Sequence, residues 1–308
     1  MLKRSLLLIS LVLLLFTASC SDRNDGGESV TFIDALGREV SVAPSVERVA
    51  TLLGSFADTW MLAGGEACAT SEDAWEDFGL ELDAVNIGGA HSPSLELLLS
   101  SDPQLVIASA STASNLELLE PLEALGITVA YFDVDSFDDY LSMLDILTDI
   151  TGRKDLYRVN GEKVRDEIDA IKSRLPDNKP SVLLLRASSG SIKAKSSEGT
   201  VLGEMLSDLG CVNIADSDTG ILENLSVESI MRHQPYHIFA VAMGDEKKAL
   251  EGLEKMIEED PAWSSLEAVK NGRVHMMDRH LFNLKPNSRW GESYERLVEI
   301  LLSDTVED

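Results

Sequence analysis

Ser94-Leu-Glu-Leu-Leu-Leu-Ser-Ser-Asp-Pro-Gln-Leu-Val-Ile-Ala108 returns 132 residues later as Ser226-Val-Glu-Ser-Ile-Met-Arg-His-Gln-Pro-Tyr-His-Ile-Phe-Ala240. Both copies spell one physical unit. A Ser can accept from the free amides of a helix start, and the acid two residues on (Glu96, Glu228) suits the positive helix end. Apolar residues at 95, 98 and 99, and at 227, 230 and 231, form a buried stripe. Pro103 and Pro235 close the helix, and a short β-rich apolar run follows as a strand. A helix–strand unit repeated once predicts two similar lobes, each with its own parallel-type sheet.

The N-terminus predicts a leader. Lys3 and Arg4 precede an apolar run, Leu6 to Phe16, that is too short for a comfortable membrane span, and Ala18-Ser19 lead into Cys20. A Cys directly after small residues resembles a lipoprotein processing site, although Thr17 departs from the Leu usual there. Residues 1–19 are therefore read as a signal peptide and 20–29 as a polar tether on a lipidated Cys20. Cys68 and Cys211 then fall one in each lobe and are expected to be buried thiols. With Lys3 and Arg4 removed, 24 basic residues face 53 acidic ones, a net charge of −29. Such a surface argues against nucleic acid or an anionic membrane surface as partner.

The pattern between these landmarks is regular. A hairpin is expected over Val30 to Val42, a strand over Arg48 to Leu53, a helix over Ala57 to Leu62, and a strand over Ile127 to Phe132. Ser136 to Leu175 breaks the rhythm with helical spacing and no strand, and is read as a connecting segment. Strands resume at Ser181 to Arg186, Cys211 to Ala215, His237 to Ala242 and Gly272 to Met277, with Ala187 to Gly199 as a Ser/Gly-rich loop. A last helix is expected from Trp290. The predicted class is α/β: an N-terminal lobe over 30–135, connecting helices over 136–176, and a C-terminal lobe over 177–308.

The order of motifs resembles the substrate-binding proteins of ABC importers for iron complexes and vitamin B12. The residues that carry the resemblance are the lipoprotein signal, Asp34-Ala-Leu-Gly-Arg38, Arg48-Val-Ala-Thr51, the repeat, the long connecting helix, Asp260-Pro-Ala-Trp263 and Asn271-Gly-Arg-Val274. It covers roughly 30 to 302. It implies two lobes joined by one long rigid helix, a ligand cleft between them, and only a small closure on binding. It implies a monomer that delivers a chelated metal compound to a permease dimer with its cytoplasmic ATPase, needs no cofactor and performs no chemistry. Glu96 and Glu228 match the two acids with which the family docks to permease arginines.

Parallel-sheet folds place ligands at strand ends. The expected cleft residues in the first lobe are Ser55, Phe56, Trp60, Trp75, His91 and Ser111. In the second they are Arg186, Met243, Lys285 and Asn287. Aromatics would stack on a bulky ligand, and Arg186 and Lys285 would hold oxyanions of a ferric chelate. Tyr131, Met243 and His280 are candidate axial ligands for a haem, alongside His91. A hydrolase is disfavoured because no Gly-x-Ser-x-Gly elbow or phosphate loop is present. A carrier of bare Zn or Mn would need converging His and carboxylates, whereas the five His are scattered.

Overall fold

The computed structural model describes residues 29–44, 46–176 and 180–303. The leader, Cys20 and nearly all of the tether lie outside the described residues. The hairpin forms first, with β1 (Val30–Ile33) antiparallel to β2 (Glu39–Val42). Its turn is held by Asp34, whose buried carboxylate accepts from the Leu36 and Arg38 amides and from the Arg38 guanidinium.

The first sheet contains β3 (Val49–Thr51), β4 (Ala67–Thr70), β5 (Val85–Asn86), β6 (Leu105–Ser109) and β7 (Thr128–Phe132), all parallel, in the order β5-β4-β3-β6-β7. Helices α1 (Gly54–Leu62), α2 (Asp73–Glu76), α3 (Leu95–Ser100), α4 (Ala113–Leu116) and α5 (Leu119–Glu123) lie between the strands. Three helices then connect the sheets: α6 (Phe137–Thr151), α7 (Lys154–Tyr157) and α8 (Lys163–Lys172), the last two fused by a π turn over Arg158–Glu162. The second sheet contains β8 (Ser181–Ser188), β9 (Ser191–Lys195), β10 (Val212–Asn213), β11 (His237–Ala242) and β12 (Val274–Met277). Its parallel order is β10-β8-β11-β12, with β9 antiparallel to β8. Around it pack α9 (Val201–Asp208), α10 (Thr219–Asn224), α11 (Val227–His233), α12 (Glu246–Glu259), α13 (Pro261–Ser264), α14 (Glu267–Lys270), α15 (Arg279–Phe282) and α16 (Trp290–Ser303).

The repeat folds as its residues dictate. Ser94 and Ser226 accept from the Leu97 and Ser229 amides and cap α3 and α11. Each helix then ends on a left-handed residue directly before its proline, Asp102 at φ 49° and Gln234 at φ 45°. Proline disfavours a helical conformation in the residue before it, so both copies use the same unusual turn to enter β6 and β11. The strand β4 and the helix α12 emerge where the sequence reading had assigned nothing. Residues 191–195, read as loop, form β9. Arg279–Phe282 forms α15, which Asp278 caps through the His280 amide.

Apolar residues sort by strand alternation. Leu183, Leu185 and Ala187 face one cluster on the outer side of the second sheet, while Val182 and Leu184 face inward. That inward cluster is shared: it joins Val49, Leu105 and Ile107 of the first sheet to Val182, Leu184, Phe239 and Val241 of the second through residues of α6, α8, α9 and α16. The π turn seats the connecting helix against α6. Gly161 lies under Leu141, where a Cβ would come within 2.8 Å of its methyl carbon. The Tyr140 hydroxyl donates to the Asn160 carbonyl at 3.0 Å, and the Asn160 amide donates to the Leu62 carbonyl at 2.8 Å. Both cysteines are free, but only Cys211 is buried, with its thiol pushed up to about 12 by that burial. Cys68 is half-buried on β4, with its thiol toward the Ser101 hydroxyl.

The start of α1 makes a tight backbone approach that bears on the cleft. A Cβ on Gly54 would lie 2.5 Å from the Ala74 amide nitrogen, a backbone atom that cannot turn aside. Gly54→Ala is expected to lower unfolding free energy by about 1–3 kcal/mol, the usual cost of overpacking. Urea denaturation checks it, and an unchanged midpoint would show that α1 and α2 separate freely.

Candidate functional site

The C-terminal ends of both sheets meet across a cleft, and three polar contacts span it. Arg279 forms a two-pronged ion pair with Asp77, at 2.7 and 3.2 Å. Lys285 reaches Asp135 at 3.3 Å, with side chains 18% and 23% exposed. The Asn287 amide donates to the Ser55 carbonyl at 2.9 Å and to the Asp58 carboxylate at 2.7 Å. All three arise from residues 279–287, so this one segment of the second half is pinned to the first.

These contacts decide where several expected cleft residues go. Ser55, Phe56 and Trp60 all lie on α1 and are buried. Phe56 packs edge-on against Phe132, and the Trp60 indole donates to the Glu66 carbonyl at 3.0 Å. Both rings therefore serve the core and not the cleft. Asn287 is also buried, at φ 54°, and its amide is fully used in holding α1. Tyr131 is fully buried with its hydroxyl on the Asn115 carbonyl, which removes it as an axial ligand. Trp75 stays half-buried on α2, while His91, Ser111 and Met243 are exposed in loops at strand ends. His280 is half-buried and bonded to Asp278 at 3.2 Å. Glu96 and Glu228 are exposed in the first turns of α3 and α11.

Arg186 is where the sequence reading meets something it missed. On the β8–β9 ribbon Arg186 lies directly opposite Lys193, and Leu184 opposite Lys195. Directly paired residues share a face, so all three cations project from the side that carries Leu184, and like charges paired this way destabilise a ribbon. None of the three side chains makes an ion pair or hydrogen bond among the described residues. Arg186 and Lys195 line one small cavity with Phe282 and Asn283. Burial pulls both of their pKa values down; the Asp135 carboxylate opposes the shift at Arg186, while the neighbouring Arg186 and Lys193 charges add to it at Lys195. On the facing wall, burial and the Asp135 charge push the Asp133 carboxyl up. The period-2 run Ser191-Ile-Lys-Ala-Lys195 was the available signal for this cationic face.

Larger hollows lie away from this ribbon. One, of about 370 Å³, is lined by Arg165, Lys172 and Tyr294 beside α8, but Asp138 and Asp208 already pair its cations. Another, of about 890 Å³, runs between β12 and α16, where Glu167, Asp278, Glu292, Glu295 and Glu299 share the lining with apolar residues such as Met276, Leu281 and Ile300. Among the described residues, no group of three or more His, Cys, Asp or Glu side chains is placed to hold a metal ion.

Residues 49–281 match the family model of the periplasmic binding proteins. The chain is 26% identical over 289 residues to the Fe(3+)-citrate-binding protein YfmC of Bacillus subtilis, covering 89% of this chain and 88% of that one. It is 25% identical over 288 residues to the uncharacterised ABC transporter substrate-binding lipoprotein YvrC of the same organism, covering 91% and 87%. Among solved structures it is similar to the periplasmic heme-binding protein RhuT from Roseiflexus sp. RS-1 in apo form, with a TM-score of 0.68, 22% identity, and coverage of 84% and 99%.

Asp58 offers a test of how the lobes are pinned. Burial raises its pKa above the ordinary 3.8, and the Asn287 bond opposes the shift. Across the window above 3.8, the folded chain holds this proton more tightly than the unfolded chain does. The group's stabilising contribution is then complete at low pH and lost as pH rises. Asp58→Asn keeps an acceptor for Asn287 and removes the charge. Its stability relative to wild type is expected to climb from about pH 4 to about pH 7 in paired denaturation curves. A constant difference would mean that Asp58 is well solvated.

Proposed function

Because the chain belongs to the periplasmic binding protein family, the substrate-binding components of ABC importers, we propose that its cargo is an anionic ferric siderophore. The observation that carries this is the ribbon face of Arg186, Lys193 and Lys195, where three cations stand together without a paired carboxylate in a chain of net charge −27. Keeping like charges adjacent, with Arg186 and Lys195 partly buried, is unfavourable unless an anion arrives to offset it. Carboxylate or catecholate oxygens of a ferric chelate match guanidinium and ammonium donors. The same face repels a bare Zn or Mn ion. A haem would bring propionates but also a broad apolar ring, and Phe56, Trp60 and Tyr131 are committed to the core. The citrate named for one relative is of the favoured chemistry.

In this reading residues 30–135 and 177–308 are the two lobes, 136–176 connects them, and a lipid on Cys20 holds the protein at the outer face of a membrane. Glu96 and Glu228 dock on the permease. Two exposed acids at equivalent places in a repeated unit suit a partner with two-fold symmetry.

Tryptophan fluorescence tests the cargo, with Trp75 as the reporter nearest the cleft. Saturable quenching is expected with ferric citrate or a carboxylate siderophore. Arg186→Gln should weaken it about 10- to 100-fold, the worth of a lost charge-assisted hydrogen bond. Saturation by cobalamin or haem alone would overturn the assignment. Docking is tested separately: Glu96→Lys with Glu228→Lys should abolish uptake of radioactive iron by cells while leaving chelate binding intact. Normal uptake by that double variant would reject the docking role.

A further inference from the structure

The two walls of the cleft carry opposite charge. The second-sheet wall presents Arg186, Lys193, Lys195 and Lys285, and the first-sheet wall presents Asp133 and Asp135. Asp135 is the carboxylate that crosses. It sits 3.3 Å from the Lys285 ammonium, and it is the acid whose charge acts on Arg186. Its own surroundings are crowded with like charge, since Asp133 feels both Asp135 and Asp139, and Glu204 of α9 feels Asp135 and Asp139. Nothing in the hairpin turns or the core requires an acid at this position. Its backbone amide bonds to Asp139 at 3.3 Å, and its side chain points to the other wall.

We propose that Asp135 is a resident counter-ion, holding the place of a cargo oxyanion at Lys285 and Arg186, and that it sets the specificity of the cleft. This rests on the anionic cargo proposed above. A cargo carboxylate that reaches Arg186 enters the field of Asp135 and is repelled. Displacing Asp135 from Lys285 relieves that repulsion but leaves Lys285 without an anion. A chelate with one oxyanion can satisfy only one of the two cations. A polyanionic chelate satisfies both at once, and Lys193 and Lys195 lie ready on the same face for further oxygens. A neutral chelate gains nothing from the exchange. Asp135 therefore discriminates among anionic chelates, penalising mono-anions more than polyanions that can replace it at both cations, and does not act on neutral chelates; its lysine partner is as much a binding residue as an interlobe tie.

The test is calorimetric titration of the full chain with ferric citrate, and with ferrichrome as an electroneutral probe. Asp135→Asn is expected to tighten ferric citrate about tenfold, equivalent to removing a repulsion of ~1.4 kcal/mol, and to leave ferrichrome unchanged. Lys285→Gln should weaken ferric citrate. Unchanged or weaker citrate binding by Asp135→Asn would overturn the proposal. If wild type binds no ferric chelate, the cargo reading fails by itself. The counter-ion is then read with iron-free citrate, which should raise the unfolding midpoint of Asp135→Asn more than that of wild type. Equal shifts would overturn it.

Discussion

One continuous apolar cluster between the inner faces of the two sheets constrains everything else in this molecule. Val49, Leu105 and Ile107 on one side and Val182, Leu184, Phe239 and Val241 on the other are bridged by α6, α8, α9 and α16. Burying that shared surface fixes how the sheets approach, since apolar burial is the dominant favourable term in folding. Because all strands but β9 run parallel within their sheets, their C-terminal ends converge on the same opening. The cleft is thus a consequence of the core. The connecting helix, seated by Gly161 and Asn160 against the first half, adds a second restraint. Large hinge motion would have to tear this common core.

Much of this was legible in the chain because the signals were local. Ser caps, first-turn acids and closing prolines mark the repeated helix–strand unit without knowledge of anything distant, and the capping box at Ser136 and Asp139 marks α6 in the same way. Illegible features were of two kinds. Some were local but atypical, such as β9, hidden in a Ser/Gly-rich stretch, and the left-handed residues Asp102 and Gln234, forced by the turn that follows. Others depend on residues far apart in sequence. Arg279 and Asp77 are separated by 202 positions, and no pattern in either neighbourhood announces the other.

Aromatics misled for a related reason. Phe56 and Trp60 follow a strand and a Gly-Ser pair, the right place for cleft walls in such a fold. Which face of α1 turns inward, however, is set by the contact of Gly54 with the backbone of α2 and by Asn287 arriving from the other half. Both constraints rotate the same side of the helix into the core. A cleft thereby loses two rings and keeps a polar rim, so its selectivity has to rest on charge and hydrogen bonding.

That shift explains why the cations sit on a ribbon. A two-stranded antiparallel ribbon sets opposite side chains about 5 Å apart on one face, a spacing suited to neighbouring oxygens of one chelate. Helical cations at i and i+4 would reach neighbouring acids on the same helix, as Lys247 and Glu251 do on α12. On β8–β9 the inward positions are apolar, basic or serine and the outward positions fill the outer core, leaving no acid within the ribbon to neutralise Arg186. The nearest carboxylate charge must come from across the cleft. A net acidic surface is therefore compatible with the anionic cargo proposed, because an entering ligand meets the local field of the cleft and not the net charge of the chain.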